Sequence, residues 1–280
     1  FVDGLPAVHE DAEGLGDEVD VASPVVAAPT LVEEAPLVVA EAFGTLAELY
    51  PDRIDLGLGR APGTDGITMR ALRRDRVETE DDFPREVAEL QQLLGPVQPG
   101  QRVVAMPGTG TNVPIWILGS STFSARLAAE RGLPYAFASH FAPRQLLQAI
   151  EIYRNQFRPS AALDKPYLII GVPLIAAPTD EEAEYLASSN YQRVFGILTG
   201  NRRRLQPPIE NFMAGLRPEE RAAIGDFLAA AVTGGPERVR DGFRRLAQLT
   251  KADEFMLVSD IYDPDLRLRA LDIAAAAIAA

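Results

Sequence analysis

Residues 51–74 read PDRIDLGLGRAPGTDGITMRALRR, and the fold turns on how this stretch is understood. Ile54, Leu56 and Leu58 alternate with Asp55, Gly57 and Gly59, the period of two that marks a β-strand with one apolar face. The other face carries glycines, which let a flat ligand come close to the backbone. Arg60 ends the strand. Turn signals at Pro62-Gly63 and Thr64-Asp65-Gly66 follow, and then a short helical run bears Arg70, Arg73 and Arg74. Arginines converging on a glycine-rich strand end suit a phosphate, because guanidinium presents a planar fork of donors. GLGRAPG is one residue too long for the GxGxxG dinucleotide fingerprint. A solvated loop with surface arginines is the competing reading of the same residues.

Working outward, Pro36 opens an amphipathic helix marked by Leu37, Val38, Ala40, Phe43, Leu46, Leu49 and Tyr50 and stopped by Pro51. On the other side, Asp81 and Asp82 cap a helix from Phe83 to Leu94, and Arg102–Ala105 reads as a short strand. Pro114–Gly119 (PIWILG) is a continuous apolar run of the buried parallel kind. Ser120, Ser121 and Thr122 then start a helix that lasts to Gly132, an arrangement that aims unpaired N–H groups and hydroxyls at an anion. A serine N-cap without a ligand fits those residues equally well.

The alternation continues. Strands are expected at Pro134–His140, Tyr167–Ala177 and Glu254–Ile261, and helices at Pro143–Phe157, Thr179–Leu198, Pro218–Val232 and Pro264–Ala280, with another starting at Gly234-Gly235-Pro236. Residues 199–217 are polar, proline-rich and too long for an ordinary connection, so they read as an insertion, a surface excursion or lid. His140 stands at the C-terminal end of its strand, where open α/β sheets and barrels keep their sites, and is a weak catalytic candidate with no partner evident in the sequence. Strands each followed by a helix imply a parallel sheet or (β/α) barrel. A complete barrel needs eight such units, so the expected fold is an α/β, TIM (β/α)8-type barrel, incomplete at its N-terminal strands.

Twelve of the 40 acidic residues lie in residues 1–52, which hold no Lys or Arg, so the net charge of −13 belongs to the front of the chain. The rest is nearly neutral, which argues against nucleic acid as a partner. Residues 1–35 are expected to be an atypical, poorly packed acidic leader, and residues 36–280 the barrel domain. There is no cysteine, which removes thiolate chemistry and suits a reducing cytoplasm. No metal site is expected. No apolar run approaches the roughly 18 residues of a membrane helix, so a cytoplasmic location is expected.

The chain resembles the bacterial luciferase-like flavin monooxygenases. The resemblance is carried by Val39–Leu46 (VAEAFGTL), Leu49-Tyr50-Pro51, Arg53–Asp65, Met69–Arg73 (MRALR), Phe83–Leu90 (FPREVAEL), Val113–Ser121 (VPIWILGSS), Gly132–Pro143 (GLPYAFASHFAP), Lys165-Pro166-Tyr167 and Asp253–Phe255. It implies a TIM barrel, a homodimer and FMN at the C-terminal mouth, with a deazaflavin coenzyme the less favoured cofactor. It also implies a flavin-dependent monooxygenase acting on paired donors, in which reduced FMN from a separate reductase and O2 deliver one oxygen atom to a small organic substrate. By the same resemblance Arg60 and Arg70 hold the flavin phosphate, with Gly119, Ser120, Ser121 and Ser124 on its other side. The family's Ala-Glu-His-His segment has no counterpart ahead of Pro36. A non-catalytic flavin-binding or remnant protein is therefore the alternative.

Overall fold

The computed structural model describes residues 25–27, 35–60 and 82–279. Among these residues seven strands form one sheet, β1 (Val25–Ala27), β2 (Asp55–Gly59), β3 (Ile115–Gly119), β4 (Tyr135–Phe137), β5 (Leu168–Ala176), β6 (Val232–Gly234) and β7 (Glu254–Val258). Neighbours run β1-β2-β3-β4-β5-β6, and β7 also pairs with β5. Every pairing is parallel. The five strands read from the sequence after Arg53 are therefore present and parallel. Two expectations differ. Val232–Gly234 is a strand rather than a helix end, paired with Leu174–Ala176 along the upper part of β5. Arg102–Ala105 is irregular chain. Ala105 is buried there but Val103 is exposed, so the alternation alone does not make a strand without a neighbour to pair with.

Helices α1 (Pro36–Leu49), α2 (Asp82–Leu94), α3 (Thr122–Arg131), α4 (Leu146–Gln156), α5 (Asp180–Leu198), α6 (Pro218–Phe227), α7 (Pro236–Thr250) and α8 (Pro264–Ala279) fill the connections. Their boundaries follow local chemistry. Pro36, Pro218 and Pro236 stand in first turns, where the missing N–H costs nothing. The Thr179 hydroxyl accepts from the Glu182 amide at 3.2 Å, capping α5. Gly132 ends α3 in the left-handed region, φ 62°. Pro143–Gln145 forms a 3-10 turn ahead of α4 rather than part of that helix.

The register separates two faces of the sheet. Leu56, Leu58, Ile117, Tyr135, Phe137, Leu168 and Ile170 lie on the helix-covered face and are almost wholly buried. Tyr135 packs on Tyr153 of α4 and Phe255 on Phe243 of α7. The other, concave face carries Gly57, Gly59, Leu118, Ala136, Gly171, Glu254 and Met256. Among the described residues it is covered unevenly, with Gly57 and Gly171 buried but Met256 44% exposed. That asymmetry places the core between strands and helices and leaves the concave side for a site.

Residues 199–217 run along α5 as a segment that is irregular apart from a 3-10 turn at Met213–Gly215. It is tied down by Gln192 Nε2 donating to the Pro207 carbonyl at 2.9 Å and the Ile209 amide donating to Ser188 Oγ at 2.8 Å. Of residues 1–35, only Val25–Ala27 and Ala35 fall within the described residues, and Val25–Ala27 pairs with Asp55–Gly57. Among the described residues, no helix is long and apolar enough to cross a membrane.

Candidate functional site

The C-terminal ends of β2, β3 and β4 lie side by side, with Gly59 opposite Leu118 and Gly119 opposite Phe137. Arg60, the next residue after β2, places its guanidinium 4.3 Å from the centre of the Phe123 ring in the first turn of α3. This contact carries the arginine from the end of β2 across to the first turn of α3, the helix that Ser121 caps. Sequence reasoning did not single out Phe123. Its signal was an aromatic residue in the first turn of a helix opened by serines.

The Ser120-Ser121 turn is held from below. The Ser121 carbonyl accepts from Ser124 Oγ at 2.9 Å and from the Tyr135 hydroxyl at 3.2 Å, and those two hydroxyls are themselves 3.1 Å apart. Burial drives the Tyr135 phenol pKa upward, so it stays a neutral donor. Ser121 is the N-cap of α3 in extended conformation, yet its side chain makes no capping bond among the described residues. The α3 N-terminus therefore keeps N–H groups that no side chain has satisfied.

Gly119 and Ser124 have a different place from the one expected. A Cβ on Gly119 would meet Ser124 Oγ at 2.1 Å and its Cβ at 2.4 Å. Ser124 is buried, with its hydroxyl engaged by Ser121 and Tyr135. The pair packs strand against helix and fixes the turn, rather than pointing into the mouth. On the concave side, the space above Gly57 is filled by Leu118, whose Cδ1 would be 2.9 Å from an added Cβ, so the room expected there is absent. Among the described residues nothing lies closer than 3.9 Å to a Cβ on Gly59. Arg70 lies outside the described residues.

His140 sits farther along the same rim. Its ring faces Gly171 of β5 so closely that a Cβ there would lie 2.7 Å from Nδ1, which places the imidazole on the concave side. Nδ1 is buried without a hydrogen bond among the described residues. Burial holds the imidazole pKa below its ordinary value and Arg193 adds to this, while the Gly171 backbone and Asp260 oppose it. The partners missing from the sequence reading are thus Arg193 on α5 and Asp260 just after β7, joined by an ion pair at 2.9 Å. Asp260 could have been found from its position two residues past a strand's C-terminal end; Arg193, on a helix after the preceding strand, left no such signal.

Known proteins agree with this architecture. The luciferase-like monooxygenase family profile matches residues 25–252. A luciferase-like monooxygenase of Escherichia coli strain K12 is 45% identical over 244 residues, 87% of this chain and 73% of that protein. The crystal structure of apo-MsnO8 superposes with a TM-score of 0.76 at 33% identity, over 89% of this chain and 76% of that one. A type II Baeyer–Villiger monooxygenase, the oxygenating constituent of 3,6-diketocamphane monooxygenase of Pseudomonas putida solved with FMN, shares the fold at a TM-score of 0.62 and 17% identity, over 90% of this chain and 78% of that one. With parallel strands, helices on the convex face and these matches along most of its length, the chain belongs to the luciferase-like monooxygenase family and has its TIM-barrel-type α/β fold.

Proposed function

We propose that the protein is an FMN-dependent monooxygenase that places one oxygen atom of O2 into a small organic substrate, with reduced flavin delivered by a separate reductase. The observation that carries this reading is the convergence of Arg60, stacked on Phe123, with the uncapped N-terminus of α3 at adjoining strand ends. Cation, hydroxyls and free N–H groups together suit a phosphomonoester. The open space over Gly59 suits a flat ring beside it.

When bound, FMN supplies the redox chemistry with O2. The protein's part is binding, orientation and exclusion of water. Arg60 and Arg70 are the cationic partners of the phosphate, and Ser120 and Ser121 donate from the other side. Ser124 and Tyr135 position that turn through the Ser121 carbonyl. Neutral His140, with Nδ1 turned to Gly171, keeps Nε2 as a group that can take a proton from substrate at the mouth.

Arg60→Ala tests the reading. A hydrogen bond to a charged group contributes about 1.5–3 kcal/mol, so FMN affinity should fall by roughly ten- to one-hundredfold. Arg245→Ala, on an exposed turn of α7, should leave it unchanged. Flavin fluorescence titration reads both, and equal affinity in wild type and Arg60→Ala overturns the assignment. The absorbance of the bound chromophore separates FMN from a deazaflavin coenzyme.

A further inference from the structure

Among the described residues several arginines form ion pairs on or beside surface helices, as Arg85 with Asp82, Arg144 with Asp226, Arg217 with Glu220, and Arg269 with Glu182. The inserted segment after α5 is different. Among the described residues no carboxylate pairs with Arg203 or Arg204, and the Arg203 Nε reaches only the Asn201 amide oxygen, at 3.4 Å. Both arginines line a cavity of about 200 Å3 together with Arg193, Asn201, Gln192 and Gln206, and no acidic residue among the described residues borders it. Arg193 has one carboxylate, Asp260, and its Nε is buried without a partner among the described residues. One negative charge thus stands against three guanidinium groups, at a cavity whose other polar walls among the described residues are neutral, the amides of Gln192, Asn201 and Gln206 and the Thr199 hydroxyl.

Like charges brought together repel unless an anion joins them. A planar donor fork with unused N–H groups selects oxyanions. The volume exceeds what one sulfonate or carboxylate needs. Arg193 also links the cavity to the mouth, because its ion-pair partner at 2.9 Å, Asp260, stands two residues past the C-terminal end of β7. We propose that this cavity holds the oxyanion head, sulfonate, carboxylate or phosphate, of the organic substrate, so that the remainder of the molecule extends past Arg193 toward His140. The assignment rests on the monooxygenase reading for the word substrate. It uses elements separate from the flavin clamp, α5 and residues 199–206 rather than the ends of β2 and β3.

The test is calorimetric titration of the full chain with 1-butanesulfonate and with inorganic sulfate, at fixed ionic strength. Wild type should bind butanesulfonate several-fold tighter than sulfate, and Arg203→Ala/Arg204→Ala should weaken butanesulfonate at least tenfold while FMN affinity stays unchanged. Arg202→Ala, an exposed neighbour that does not line the cavity, should behave as wild type and controls for loss of net charge. Unaltered butanesulfonate binding in the double variant overturns the proposal. So does its loss in Arg60→Ala instead, which would place the anion in the flavin clamp. Equal affinity for sulfate and butanesulfonate overturns the assignment to an organic head group. If wild type fails to bind FMN while the arginine pair still controls butanesulfonate, the monooxygenase reading fails and the anion site stands.

Discussion

Gly119→Ala is the substitution whose outcome the structure defines most tightly. The new Cβ would lie 2.1 Å from Ser124 Oγ and 2.4 Å from Ser124 Cβ. A rotation about χ1 could move the hydroxyl but not the Cβ, so either α3 or β3 must shift. Overpacking of this kind costs about 1–3 kcal/mol, and this contact belongs at the upper end. Displacing Ser124 also loses its bond to the Ser121 carbonyl, roughly 1 kcal/mol more. At roughly 2–4 °C per kcal/mol for a chain of this size class, the melting temperature should fall by roughly 6–16 °C. FMN affinity should fall with it, because the Ser120-Ser121 turn is anchored through the same hydroxyl. Adding Ser124→Gly removes both clashing atoms and should recover part of the loss, short of about 1 kcal/mol for a glycine in the helix. Gly59→Ala is the contrast: its nearest neighbour among the described residues is 3.9 Å away, so stability should hold while flavin binding weakens. Thermal denaturation with parallel flavin titration reads all four proteins. A Gly119→Ala melting temperature within 2 °C of wild type would refute the packing argument.

Two further outcomes follow from buried polar groups. His140 has its pKa depressed below 6.5, chiefly by burial, so the unfolded chain binds the proton more readily. Stability should therefore be whole above pH 6.5 and decline as the pH falls from there toward the folded-state pKa. His140→Gln should remove that decline in urea denaturation compared at pH 7.5 and 5.5, and a slope identical to wild type would contradict it. The Tyr153 hydroxyl donates to the Leu133 and Tyr167 carbonyls at 2.9 and 3.1 Å and accepts from the Tyr167 amide at 3.1 Å. Its phenol is pushed up to about 12, mainly by burial. Tyr153→Phe strands the Leu133 carbonyl and the Tyr167 amide, while the Tyr167 carbonyl keeps the Tyr135 amide at 3.0 Å, and should cost about 1–3 kcal/mol, with a change under 0.5 kcal/mol counting against the role.

The strands and helices were legible wherever periodicity and breakers agreed. Leu56 and Leu58 alternate with glycines, Pro114–Gly119 is a continuous apolar run, and prolines mark where α1, α6 and α7 begin. What escaped was decided by neighbours. Val232–Gly234 is too short to carry a period of its own and becomes a strand because the nine-residue β5 extends beyond β4 and β7 and offers Leu174–Ala176 as a partner. The same holds at the site. Glycine and serine at the end of β3 pointed to an anion-binding turn, but the sequence could not divide the labour. Gly119 and Ser124 face the helix layer, whereas Gly59 faces the concave side; only the register tells them apart. The Arg193–Asp260 pair beside His140 joins α5 to the chain just past β7, and no spacing rule links positions that far apart.

The order of the sheet also bears on how the chain is made. From β1 to β5 each strand lies beside the one synthesised just before it. A nascent chain leaving the ribosome can therefore add strands to a growing edge, each covered by the helix that follows, without threading anything between strands already paired. The exception comes at β5, which takes both of the last two strands, β6 on Leu174–Ala176 and β7 on Ile169–Pro173. Until those residues emerge, the longest strand among the described residues, nine residues all buried in the finished fold, stands with part of its length unpaired. That interval, between the synthesis of Ala176 and of Val258, is when the chain is most exposed to edge-to-edge aggregation and has most to gain from a chaperone.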